Sequence, residues 1–143
     1  MFEVLEIIQR LLLLGGLFYF AWCDYRTKTI AVIPVCLMGI GGIVLHLMLG
    51  SGEIGKLLAG MAVGVFLLLI SVLTAESIGV GDGLLFLVSG IYLEFLNNMT
   101  LFCGTIFLVG GYTGICLLLK RKKKEDRIAV APFMLTAYVL FVL

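Results

Sequence analysis

Long apolar runs leave this chain few ways to fold. Leu11–Ala21, Ile30–Leu49, Ile54–Leu73 and Leu101–Leu119 consist of apolar and small residues with only isolated polar ones between them. Charged residues make up 13% of the chain, hydrophobic residues 62%, and the mean hydropathy is +1.22. A soluble domain carries about 25% charged residues, so this chain cannot coat a water-facing surface. The runs are continuous rather than alternating, which argues against a membrane β-barrel. At about 20 residues per span, 143 residues make about six helices and leave no room for a separate soluble domain. The expected fold is all-α: a polytopic membrane protein of about six transmembrane helices, in one domain over residues 1–143.

The expected spans are Val4–Cys23, Ile30–Leu49, Ile54–Leu73, Asp82 or Gly83 to about Leu96, Leu101–Leu119 and Ile128–Leu143. Polar stretches at Asp24–Thr29, Gly50–Glu53, Thr74–Gly81, Asn97–Thr100 and Lys120–Arg127 read as the connections. Pro34 and Pro132 fall in first turns, where a missing N–H costs least. Arg10 interrupts the first run and is expected to snorkel toward headgroups. Gly60 and Gly64 form a small-xxx-small pair that lets a neighbouring helix approach. Glu3 and Glu6 stand where a signal peptide carries positive charge, so the first run is not expected to be a removable signal.

Lysine and arginine counts set the expected orientation. Arg26, Lys28, Lys120, Arg121, Lys122, Lys123, Lys124 and Arg127 all lie after odd-numbered spans, and only Arg10 and Lys56 lie on the other side. The odd connections are therefore expected in the cytoplasm, in a multi-pass protein of the plasma (inner) membrane. The basic run reads as a topology anchor facing phospholipid; no nucleic-acid partner is expected.

Acidic residues are scarce, and two of them bracket apolar segments at the same expected face. Asp24 closes the first span, in Ala21-Trp22-Cys23-Asp24. Asp82 opens the fourth, in Gly79-Val80-Gly81-Asp82-Gly83. Two carboxylates brought together in a partly dry place cannot both ionise cheaply, so they share a proton. One then serves as general base on water while the other polarises a carbonyl, the chemistry of aspartyl proteolysis. This needs no cofactor and no metal. Helix-end fields favour charge at Asp82, at a helix start, and not at Asp24, at a helix end; Asp82 is the expected base and Asp24 the proton holder. Gly79, Gly81 and Gly83 carry no side chains and permit a substrate strand or facing helix near Asp82.

Other polar residues carry less. His46, the lone histidine, sits far along the second span and reads as a packing or interfacial residue. Glu76 lies on the aspartates' face. Glu94 reads as interfacial. Cys23, Cys36, Cys103 and Cys116 form no C-x-x-C pair and read as small packing residues. No H-E-x-x-H motif is present.

Gly79-Val80-Gly81-Asp82 matches the GxGD motif of intramembrane aspartyl proteases. Asp24-Tyr25-Arg26-Thr27-Lys28-Thr29-Ile30 resembles the first-aspartate motif of type IV prepilin peptidases, and Ala131-Pro132-Phe133 resembles their closing segment. The resemblance covers essentially the whole chain. It implies cleavage of the short basic leader of prepilin or pseudopilin-like proteins at the cytoplasmic face, with Asp24 and Asp82 as the catalytic pair. Arg26, Lys28 and Glu76 are candidate substrate contacts. Larger members also methylate the new amino terminus and carry an extra domain with paired cysteines; both features are missing here, so methyltransferase activity is not expected. Leu84 stands where the family usually has lysine, and Ala31-Val32 where it has Pro-Asn. These departures support the alternative, a catalytically inactive relative acting as an assembly subunit of a pilus or secretion system. A small transporter is a weaker rival, because the span centres lack the polar residues of a midplane site.

Overall fold

The computed structural model describes residues 1–48, 53–74, 79–120 and 128–143. Six helices follow in order: α1 (Phe2–Thr27), α2 (Val32–Met48), α3 (Ile54–Leu73), α4 (Val80–Tyr92), α5 (Phe95–Leu118) and α6 (Ala131–Ala137). Helix α6 runs directly into a π-helical segment, Tyr138–Val142. Among the described residues there is no strand. The chain is an all-α membrane protein.

Tertiary contacts fix the directions of the helices. The Tyr138 hydroxyl donates to the Arg10 carbonyl at 3.0 Å, and the Ala131 N–H donates to Asp24 Oδ2 at 3.0 Å, so α6 is antiparallel to α1. Gly60 and Gly64 of α3 lie against Gly90 and Leu87 of α4, which makes that pair antiparallel. Gly39 of α2 faces Val88 of α4 and Gly42 faces Ile91 and Tyr92, so α2 and α4 run in parallel; the Tyr92 hydroxyl reaches back to donate to the Met38 carbonyl at 2.8 Å. Asp24, the N-terminus of α2, the N-terminus of α4 and the N-terminus of α6 therefore share one end of the bundle.

Long and short helices alternate. Helices α1, α3 and α5, of 26, 20 and 24 residues, are long and apolar enough to cross a membrane. Helices α2 and α4 have 17 and 13 residues. At 1.5 Å per residue α4 covers only about 20 Å of a hydrocarbon core about 30 Å thick. It is also the most enclosed helix: Gly83, Leu85, Phe86, Val88, Ser89, Gly90 and Ile91 are all buried. A short helix is tolerated at membrane depth when its ends are covered by protein.

Two small-residue crossings and one amide hold α4 in place. A Cβ on Gly60 would strike the Gly90 carbonyl, and one on Gly64 would strike the Leu87 backbone. The small-xxx-small pair is thus a true close crossing. Beside it, Asn98 of α5 is fully buried. Its Nδ2 donates to the Gly60 carbonyl at 2.8 Å and to the Phe86 carbonyl at 3.1 Å, and its Oδ1 accepts from the Ser89 hydroxyl at 2.8 Å. Asn98 was expected in a turn, Asn97–Thr100. Helix α5 instead starts at Phe95 and takes that stretch into its first turns.

Helix α1 also extends beyond its expected end, through Asp24 to Thr27. Lys28 closes it in the left-handed region, φ 52°, and its N–H donates to the Asp24 carbonyl at 2.8 Å. Cys36 and Cys103 are exposed rather than packed, while Cys23 and Cys116 are half-buried. The apolar side chains exposed along the helices, such as Phe18, Leu37, Phe66 and Phe107, form the surface that lipid covers.

Candidate active site

Asp24 sits in the last turn of α1 and is only 4% exposed. It is the one buried carboxylate among the described residues. Burial of a carboxylate is costly without hydrogen bonds, and one donor is supplied by the first residue of α6. The Ala131 N–H is one of the amides that a helix start leaves without an intrahelical acceptor. Pro132 follows it, at a position where proline's missing N–H is not needed. The Ala-Pro-Phe segment thus starts a helix whose free end meets the Asp24 carboxylate.

Asp82 is the third residue of α4 and half-buried. Gly79 is the residue preceding that helix, in extended conformation. The carboxylate folds back over Gly79, where an added Cβ would lie 3.0 Å from Oδ2. Each of the three glycines here has a separate neighbour. Gly79 makes room for the Asp82 carboxylate. Gly81 lies against Ile30, with an added Cβ 2.8 Å from the Ile30 Cβ; Gly83 lies against Leu68, at 2.9 Å from its Cδ2. Of the two neighbours expected here, a substrate strand or a facing helix, Gly83 meets the facing helix through Leu68 of α3, and Gly81 meets Ile30 of the α1–α2 connection. The Gly81–Ile30 contact docks the start of α4 onto the α1–α2 connection, six residues beyond Asp24.

Both carboxylates therefore stand at helix N-termini, Asp82 at its own and Asp24 at that of α6. The expected placement holds, with Asp82 at a helix start and Asp24 in the last turn of α1, but the α6 N-terminus at Asp24 offsets the contrast, which then assigns neither one the proton. The other expected site residues are spread out. Arg26 is exposed and its guanidinium lies 5.0 Å from the centre of the Trp22 ring. At 100° per residue it points away from the buried Asp24. Lys28 is exposed at the helix cap. Leu84 is half-buried and packed on the apolar core. Glu76 and the basic residues Arg121–Arg127 lie outside the described residues. Among the described residues no cluster of three or more His, Cys, Asp or Glu side chains is placed to hold a metal ion.

The residue missed from sequence was Ala131 as a partner of Asp24. Its signal was present only as the Ala-Pro-Phe resemblance, since a backbone donor 107 positions away has no side-chain signature.

No curated protein and no solved structure matches the chain. A family model does match, over residues 11–115, which is more than half of the chain and contains both Asp24 and Asp82. It describes peptidases, and the chain belongs to the type IV leader peptidase family.

Proposed function

We propose that this protein is a membrane aspartyl endopeptidase that removes the short basic leader from prepilin or pseudopilin-like proteins at the cytoplasmic face of the plasma membrane. Asp24 and Asp82 are its catalytic pair. The observation that carries this reading is the placement of a buried, hydrogen-bonded carboxylate at the end of α1 and of a second carboxylate at the start of α4. Both lie at one end of the bundle, within the segment matched to the leader peptidase family.

The chemistry follows from two carboxyls sharing one proton. The ionised one takes a proton from water as the water oxygen attacks the scissile carbonyl carbon. The protonated one donates a hydrogen bond to the carbonyl oxygen as it gains charge. Collapse of the tetrahedral intermediate breaks the C–N bond, and a proton passes from the pair to the leaving nitrogen. Glu76 and Lys28 are the proposed contacts to the leader and its flanking residues. Arg26, turned toward Trp22, must leave that ring to reach a substrate bound at Asp24.

The inactive-relative reading is favoured by one observation: Leu84 is packed on the core where a lysine is usual. The experiment that separates the two is cleavage of a panel of basic leader peptides by the purified protein, with the cut located by mass spectrometry. A single cut, absent in Asp24→Asn and Asp82→Asn, supports the peptidase. No cut in any leader, from protein of intact helicity, sinks it in favour of an assembly role.

A further inference from the structure

At the opposite end of the bundle from Asp24 and Asp82, a cleft of about 350 Å³ opens over the C-terminal end of α4. Its polar lining comes from α1, α2 and the α3 and α5 starts, and includes Glu6, Gln9, Arg10, His46, Lys56 and Glu94. The charges are not all matched. Lys56 is paired with Glu53 at 2.5 Å and approaches Glu94 at 3.8 Å. Glu6 and Arg10, one turn apart on α1, have no ion-pair partner among the described residues. Gln9, between them, is only 8% exposed, and its Nε2 is buried with no hydrogen-bond partner.

A buried amide left unpartnered calls for an occupant that supplies what it lacks. With no hydrogen bond fixing it, the Gln9 amide is free to turn either nitrogen or oxygen into the cleft. Arg10 and the Gln9 amide together offer donors suited to a phosphate diester. Glu6 offers an acceptor for a cation carried by the same ligand. Around these residues Val4, Ile7, Ile8 and Leu11 expose apolar side chains, within a helix long and apolar enough to cross the membrane. Acyl chains can lie on that surface while the headgroup enters the cleft.

We propose that this cleft is a binding site for a zwitterionic phospholipid headgroup, a phosphodiester joined to a primary ammonium, on the membrane face away from the aspartates. Arg10 and Gln9 hold the phosphate, and Glu6 holds the ammonium. A primary ammonium donates hydrogen bonds that a trimethylated one cannot, so the site discriminates phosphatidylethanolamine from phosphatidylcholine.

The test is native mass spectrometry of the full chain in micelles doped equally with phosphatidylethanolamine, phosphatidylcholine and phosphatidylglycerol. One phosphatidylethanolamine is expected to be retained about tenfold over the other two, the equivalent of one charge-assisted hydrogen bond. Gln9→Leu and Arg10→Met are expected to lower that retention about tenfold each. Glu6→Gln is expected to reduce the preference over both phosphatidylcholine and phosphatidylglycerol, since each rests on the primary ammonium at Glu6. Gln9→Leu removes an amide that makes no hydrogen bond, so its melting temperature in lipid-free micelles should match the parent and certify the fold. Equal retention of the three lipids, or retention indifferent to Gln9→Leu and Arg10→Met, would overturn the site. Displacement of the lipid by an equal concentration of soluble glycerophosphoethanolamine would overturn its assignment to a lipid.

Discussion

Replacing Asp24 removes the acceptor that meets the first N–H of α6, and the choice of replacement isolates that contact. In the parent, Asp24 Oδ2 lies 3.0 Å from the Ala131 nitrogen, and the helix that begins there buries Ala131, Met134, Ala137 and Tyr138 completely. Alanine at position 24 leaves a buried N–H without an acceptor, at a cost of about 1–3 kcal/mol. Asparagine keeps an oxygen within reach and gives up only the charge assistance, worth about 1 kcal/mol. Removing a buried charge also relieves desolvation, and that gain is common to both substitutions. It cancels in the comparison between them. Asp24→Asn is therefore expected to exceed Asp24→Ala in stability by about 1 kcal/mol, the mid-range cost of the alanine form less that of the asparagine form, whichever side of the parent each falls. Equilibrium unfolding in mixed detergent micelles, followed by circular dichroism, measures the difference. Equal stabilities, or a more stable alanine variant, would refute the claim that Asp24 caps α6. The same pair of variants separates folding from chemistry, because both should lose peptidase activity while only the alanine form weakens the bundle.

Three further substitutions probe the packing that positions the site. Gly60→Val puts a branched side chain against the Gly90 carbonyl and should destabilise the protein by about 1–3 kcal/mol or more, read as a lower unfolding midpoint. Asn98→Leu removes the amide that bonds the Gly60 and Phe86 carbonyls. Interhelical bonds of this kind in membranes are individually modest, so the expected loss is about 2 kcal/mol in the same unfolding measurement. Gly81→Val forces Ile30 away from the start of α4. Cleavage of a leader peptide should fall at least about tenfold through misplacement of Asp82, with helicity retained in circular dichroism.

Hydrophobic runs made the helix inventory legible, and most so where polar residues bracket a run tightly. Helix α3 spans Ile54–Leu73, the bounds expected from its apolar run. The ends of α1 and α5 were misjudged for a common reason. Polarity marks where a chain meets water or a polar partner, and not where a helix stops. Asp24 and Arg26 lie in a helix that continues past the apolar run, with neither glycine nor proline to end it. Asn98, beside a second asparagine, resembles a turn residue, yet it is the buried amide that joins three helices. In the candidate site, the two aspartates and their glycines were legible as motifs. The partners of those residues were not: Ala131 for Asp24, Ile30 for Gly81 and Leu68 for Gly83 come from tertiary packing. The far cleft was hidden for the same reason. Arg10, His46 and Glu94 each read as an isolated interfacial residue until the short α4 drew them around its end.

The central claim is that Asp24 and Asp82 act as one unit, and its most direct test is a double-mutant cycle on leader-peptide cleavage. Turnover is compared for the parent, Asp24→Asn, Asp82→Asn and the doubly substituted protein, all with matched helicity. Members of a catalytic unit are non-additive: either loss alone disables the mechanism. Each single substitution is expected to reduce kcat by about 10³-fold or more, with no further loss in the double variant. Independent, additive losses, or substantial turnover in either single variant, would contradict a shared-proton pair at these two positions.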